Sequence, residues 1–190
     1  MSGPQQEMFR EMVDKQENLT NLGIDYWMKY SHFGTWQFWV NLLLLLVPIL
    51  IVYLKIDRKD IFRIGFFGFT VHVLFAYIDS SGIRLGLWGY PYQVIPFLPS
   101  FSLDAAIIPV TIMLIYQWTI RNGKNFYFVS IIAALVFGFG FKPLLVMIGL
   151  FEKYKWINYF YIYLIYQLLF LVGYWLTKIF LRLHLKSKES

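Results

Sequence analysis

Five long apolar runs, separated by short polar or turn-rich connections, organise this chain of 190 residues. They cover 36–54, 61–78, 104–120, 126–150 and 156–181. Each approaches the ~20 residues with which a helix crosses a hydrocarbon core about 30 Å thick, the third being the shortest. Within lipid the backbone must satisfy its own polar groups, and these runs lack the alternation of barrel strands, so the pattern predicts helices. The expected fold is an all-α, polytopic transmembrane bundle of five spans over 35–182. A leader (1–34) precedes it and a cytoplasmic tail (183–190) follows. In the leader, Met8, Phe9, Met12 and Val13 fall at helical spacing among charges, ahead of Tyr26, Trp27 and Tyr30. That spacing fits an amphipathic helix lying on the membrane surface; a disordered leader is the alternative.

The widest interruption is 79–103, bracketed by Asp79 and Asp104. Gly82, Gly86 and Gly89 permit tight backbone there, while Pro91, Pro96 and Pro99 stiffen it. Trp88, Tyr90, Tyr92, Phe97 and Phe101 suit the headgroup zone. This Gly/Pro/aromatic connection is expected to fold over the bundle as a lid or to dip into it.

Composition agrees with a membrane protein: 58% of residues are hydrophobic, 21% aromatic and only 15% charged, against roughly 25% charged in soluble domains. The chain has no cysteine, which excludes disulfides, thiolate-bound zinc and thiol catalysis. The formal charge of +6 raises the question of nucleic acid. The basic residues, however, sit between and after apolar runs, where they orient a bundle. Lys55, Arg58, Lys59, Arg63, Arg121, Lys124, Lys178, Arg182, Lys186 and Lys188 fall on one side. Arg10, Lys15, Lys29, Arg84, Lys153 and Lys155 fall on the other. The excess predicts an outer amino terminus, a cytoplasmic carboxyl terminus and an outward-facing 79–103 loop.

Ionisable residues within spans are expensive and mark candidate sites. Lys142 lies in the fourth run, about 12 Å below its outer end at 1.5 Å per residue. Gly138 and Gly140 precede it and Pro143 follows, which predicts a bend and a closely packed neighbour. His72 stands seven residues before Asp79, on the same helical face and about 10 Å deeper. Asp79, Arg84, Asp104, Lys142 and His72 are therefore the candidate polar cluster, with Trp88 and Tyr90 above it. Structural roles compete with this reading. Asp104 suits an N-cap, Asp79 a solvated helix end, Lys142 an ion pair with either acid, and His72 a hydrogen-bonded interior position. Tyr159, Tyr161, Tyr163 and Tyr166 spread around the last helix near its outer end, so most of them are expected to be interface anchors. Gln117 falls nearly a full span from Asp104, outside the cluster. With His32, His72 and His184 the only histidines, no multi-histidine metal site is expected, and no cofactor.

Nucleophile elbows, phosphate-binding loops, His-Glu-x-x-His and dinucleotide fingerprints are absent from the sequence. Three readings remain. The first is a binding or accessory protein that holds a lipid-like ligand, or a partner membrane protein, beneath the loop. The second is a small transporter or proton-coupled carrier. The third is an enzyme acting on a lipophilic substrate, with the two aspartates as acid and base.

The run Asp79-x-x-Gly82, Gly86-Leu-Trp88-x-Tyr90-Pro91, Pro96, Pro99, then Asp104-x-x-x-x-Pro109-Val and Met113-Leu-x-Tyr116-Gln117 carries a family likeness. It resembles an uncharacterised family of small multi-pass membrane proteins from spore-forming Gram-positive bacteria, and Trp156-Ile-Asn158-Tyr159-Phe160 is loosely similar too. The resemblance implies the five-span topology and a bacterial plasma-membrane location, not a mechanism. It also implies that Asp79, Trp88, Tyr90, Asp104, Pro109, Tyr116 and Gln117 belong to a shared pattern.

Overall fold

A computed structural model describes residues 3–187. Its helices are α1 (Gly3–Tyr26), α2 (Trp36–Lys55), α3 (Ile61–Arg84), α4 (Leu103–Arg121), α5 (Phe126–Met147) and α6 (Tyr159–Lys186). Two short strands, β1 (Trp88–Gly89) and β2 (Glu152–Lys153), pair antiparallel. Of the tail, residues 188–190, including Lys188, lie outside the described residues.

Helices α2 to α6 are each long and apolar enough to cross a membrane, with mean hydropathy between 1.5 and 2.2. Their outer surfaces carry large exposed apolar side chains such as Leu50, Phe62, Phe69 and Met147. Such surfaces suit lipid, and together these features point to a multi-pass membrane protein. The chain forms the expected all-α bundle, with α3 at its centre, packed on α4 and α6, while α5 packs on α6. The core-facing stripe of α3 runs Ile64, Phe67, Val71, Phe75, Asp79 and Gly82, a helical period that carries one acid. Around it, Phe67 packs on Tyr116 and Phe126, and Tyr166 stacks between Phe75 and Phe137. Tyr166, 1% exposed, is thus a core residue and not an interface anchor.

Helix ends differ from the expected span ends for local reasons. Helix α3 continues past Asp79 because its stop is Gly86, at φ +63°. The Leu87 N–H reaches the Gly82 carbonyl and the Gly86 N–H the Ile83 carbonyl, the left-handed close that glycine permits. Gly149, at φ +75°, ends α5 at Met147 in the same way, with the Leu150 N–H on the Leu145 carbonyl. Helix α6 begins at Tyr159 because the Asn158 side chain accepts from the Phe160 and Tyr161 N–H groups, an N-cap. Within the leader, Gly3–Tyr26 form a 24-residue helix with no buried residue; Met8, Phe9, Met12 and Val13 are all exposed.

Prolines shape the other two turns that matter. Leu103–Ile107 and Val136–Phe141 are wide π turns, standing just before Pro109 and Lys142-Pro143. Proline lacks the N–H that would bond back into the helix and crowds the preceding turn; an i→i−5 turn relieves that crowding. The Ile108 N–H accordingly bonds Leu103 O, and the Lys142 N–H bonds Phe137 O. Beside the second π turn, a Cβ on Gly138 would stand 2.9 Å from the Tyr163 backbone of α6, whereas one on Gly140 would meet open space. Gly138→Leu is therefore expected to destabilise the protein by about 1–3 kcal/mol, and Gly140→Leu to be neutral. Thermal unfolding in detergent micelles checks both.

Candidate functional site

The site occupies the half of the bundle beneath the α3–α4 connection, here called the loop face. Two links bring that connection inward. Strand β1 pairs with β2 in the α5–α6 connection, Trp88 opposite Lys153 and Gly89 opposite Glu152. The Lys155 ammonium adds a hydrogen bond to the Leu85 carbonyl. On the other flank, the Asn41 amide donates to Tyr92 O at 2.9 Å, and Gln93 O receives the Trp27 indole at 2.9 Å. Trp88 and Tyr90, 7% and 4% exposed, consequently lie inside the bundle instead of in a headgroup zone. Gly82 makes room: any Cβ there would overlap the Trp88 indole.

Asp79 is the anchor. It is 2% exposed and within α3, not a solvated helix end. Its Oδ1 accepts from Trp88 Nε1 at 2.9 Å and from the Tyr90 hydroxyl at 2.7 Å. The Lys142 ammonium, 3% exposed, donates to the same Tyr90 oxygen at 3.2 Å. It also sits 3.7 Å from the Phe151 ring centroid, a cation–π contact. The amine thus meets its acid through a phenol. A direct ion pair is not formed: among the described residues, the ion pairs are Lys15–Glu11 and Arg121–Asp57. Burial, then the Asp79 charge, pushes the Tyr90 phenol well above its ordinary pKa, so it stays protonated and keeps donating. A cavity of about 20 Å³ adjoins Asp79, Lys142 and Tyr166, roomy enough for one water molecule. Asp79 Oδ2 and the Tyr166 hydroxyl lack protein partners there.

Asp104 and His72 form a second pair. Asp104 does not cap α4, because its own N–H already bonds Ser100 O at 3.0 Å. Its Oδ2 accepts from the Ser100 hydroxyl at 2.5 Å, and its Oδ1 is buried without a partner. His72 Nδ1 lies 2.6 Å from the Asp104 carbonyl. In the π register that carbonyl would await the N–H of residue 109, which is proline. His72 supplies the missing donor, the compensation that prolines in membrane helices require.

Arg84 stands apart. It is exposed on the last turn of α3, on the rim of a groove of about 740 Å³. Helix α1 walls this groove with Gln16, Leu19, Thr20 and Gly23, and α3 with His72, Ala76, Ser80 and Ile83. Gln93, the stretch from Pro96 to Phe101, Asp104 and Ala105 complete it. At the opposite face, Gln117 clamps the α2–α3 turn, accepting from Asp57 N at 2.7 Å and donating to Lys55 O at 3.0 Å.

Ser100, Phe151, Gln93 and Asn41 hold this arrangement and escape sequence reasoning: the first three are single polar or aromatic residues in loops, which carry no spacing signal, whereas Asn41, a lone amide inside the apolar run of α2, was a polar residue that could have stood out. Comparison with protein-family models, curated proteins and solved structures finds no match.

Removing the bridging hydroxyl with Tyr90→Phe leaves Lys142 and Asp79 each short of a partner. It is expected to cost about 1–3 kcal/mol of stability, read as a lowered melting temperature. Adding Lys142→Met to Tyr90→Phe should cost less than Lys142→Met alone, because the two share one interaction.

Proposed function

We propose that this is an integral membrane binding or accessory protein of the bacterial cytoplasmic membrane. It holds a lipid-like or small amphipathic ligand in the groove at the loop face. The observation that carries this reading is the groove itself, about 740 Å³, within the range of small-molecule sites. Its lining mixes Leu19, Ile83, Phe97 and Leu98 with Thr20, Ser80, Gln93 and Asp104, a chemistry that matches an apolar chain with a polar end. The partition of Lys and Arg supports an outer loop face and a cytoplasmic carboxyl terminus. The likeness to small membrane proteins of spore-forming bacteria supports the location.

A proton-coupled carrier is the second reading, favoured by the burial of Asp79, Asp104 and Lys142 together. Flux into liposomes that Lys142→Met leaves untouched removes it.

For the first reading, the purified protein in nanodiscs is expected to bind a fluorescent lipid analogue saturably. Ser80→Phe, which fills the groove from an exposed position of α3, should weaken that binding by about tenfold, equivalent to 1.4 kcal/mol. Non-saturable partitioning, identical in the variant, rejects the proposal.

A further inference from the structure

The two ring nitrogens of His72 are in different situations. Nδ1 lies 2.6 Å from the Asp104 carbonyl. A carbonyl only accepts, so Nδ1 carries the proton, and in the neutral ring Nε2 is left as a bare lone pair. Among the described residues Nε2 has no hydrogen-bond partner. It is also not one of the buried atoms left without a partner, as Asp104 Oδ1 is, so it keeps accessible surface. The half-buried His72 side chain lines the groove at the loop face.

Other polar groups of that lining are closed or spent. Gln93 Oε1 and Asp104 Oδ1 are buried, and a ligand does not reach them. The Ser100 hydroxyl donates to Asp104 and the Thr20 hydroxyl to Gln16 O. Gln16, Ser80 and Arg84 are exposed. On α3, Ser80 and Arg84 stand about 12 and 18 Å further out than His72, at 1.5 Å per residue. At the inner end of the groove the accessible acceptor is therefore His72 Nε2.

We infer that Nε2 opens on the groove and anchors a neutral amphiphile that ends in a hydroxyl. The hydroxyl donates to Nε2. The alkyl chain runs out past Ala76 and Ile83 against Phe97 and Leu98, which are 63% and 43% exposed. A lone pair in apolar surroundings gains from such a donor, because left unmet it bears its desolvation cost without return. The donor is neutral for two reasons. The exposed charge on the rim, Arg84, is cationic and has no ion-pair partner among the described residues, so it disfavours an ammonium. A carboxylate has no proton to give. One ring thus serves two ends: Nδ1 mends the start of α4 and Nε2 holds the ligand.

This assignment rests on the groove being a ligand site, and the test separates the two. Dodecanol and dodecyl fluoride, similar in size but with a donor only in the alcohol, compete with a fluorescent lipid analogue. The full-length protein is held in phosphatidylcholine nanodiscs, and concentrations are taken as mole fractions in the bilayer. The alcohol is expected to displace the analogue about tenfold more effectively than the fluoride. His72→Asn is the decisive variant, because its amide nitrogen can take the place of Nδ1 while nothing stands at Nε2. It should keep the melting temperature near that of the wild type and bring the preference below about threefold. Ser80→Phe should weaken both ligands alike. Equal, saturable displacement by alcohol and fluoride means that water meets Nε2; it overturns the assignment and leaves the binding site standing. Displacement by neither overturns both. A preference that survives His72→Asn places the acceptor elsewhere and overturns the assignment. Should His72→Asn fail to fold, nitrogen NMR of the wild type decides: the His72 Nε2 resonance moves with dodecanol and not with the fluoride, and a resonance that dodecanol leaves in place overturns the assignment.

Discussion

A carboxylate on the core-facing stripe of a membrane helix has to be met by donors that its own helix does not possess. Asp79 occupies the place in the Ile64–Phe67–Val71–Phe75 period where another apolar side chain would pack, so the charge is aimed into the bundle. Bulk solvent does not reach it there, and unsatisfied charge in such a setting costs several kcal/mol. The answer comes from outside α3. The connection that follows turns at Gly86, crosses over Gly82 and returns an indole and a phenol to one carboxylate oxygen. The phenol then reaches the amine of α5. Loop geometry, the two-residue strand pair and the depth of Lys142 all serve that one requirement.

Helix irregularity is the means by which the amine and the second acid arrive. Along α5, the buried stripe Phe126, Ser130, Ala133, Phe137 would next place Phe141 inward at ordinary helical spacing. The π turn inserts one extra residue, so Lys142 takes the inward place and Phe141 moves aside. At the start of α4 the same device leaves the Asp104 carbonyl free for His72. In each helix a proline motivates the wide turn: Pro143 directly follows Lys142, and Pro109, five residues after Asp104, withholds the N–H that the Asp104 carbonyl would have received. Strain relief and site construction are thus one event, as is common for π turns.

The fold class could be read from hydropathy because lipid admits few backbone solutions, and span number follows from apolar runs alone. The identity of the polar centre was partly legible. Asp79, Asp104, Lys142 and His72 stand out simply as ionisable residues in apolar surroundings, and Gly138 with Gly140 announced a closely packed neighbour, which is α6 at Gly138 and is absent at Gly140. What could not be read was who contacts whom. Tyr90 as the bridge depends on a loop folding inward, and Lys142 facing the core depends on a π turn that no regular period foretells. Arg84 was misplaced because helix α3 runs beyond its apolar segment, carrying the guanidinium out to the rim. Which of the four tyrosines near the start of α6 turns inward, Tyr166, was not legible because a tyrosine near a helix end looks the same in sequence whether it faces lipid or core.

The strand pair between Trp88–Gly89 and Glu152–Lys153 sets an order of events during synthesis. When α3 and α4 emerge, their two acids have neither Lys142 nor Phe151, which lie further along the chain. The inward turn of the loop has no β2 to rest on until the α5–α6 connection has followed. Locking of the polar centre is therefore a late step of synthesis: the nascent α3–α4 hairpin carries Trp88, Tyr90 and Ser100 for its carboxylates, but neither the ammonium nor the strand that holds the loop in place.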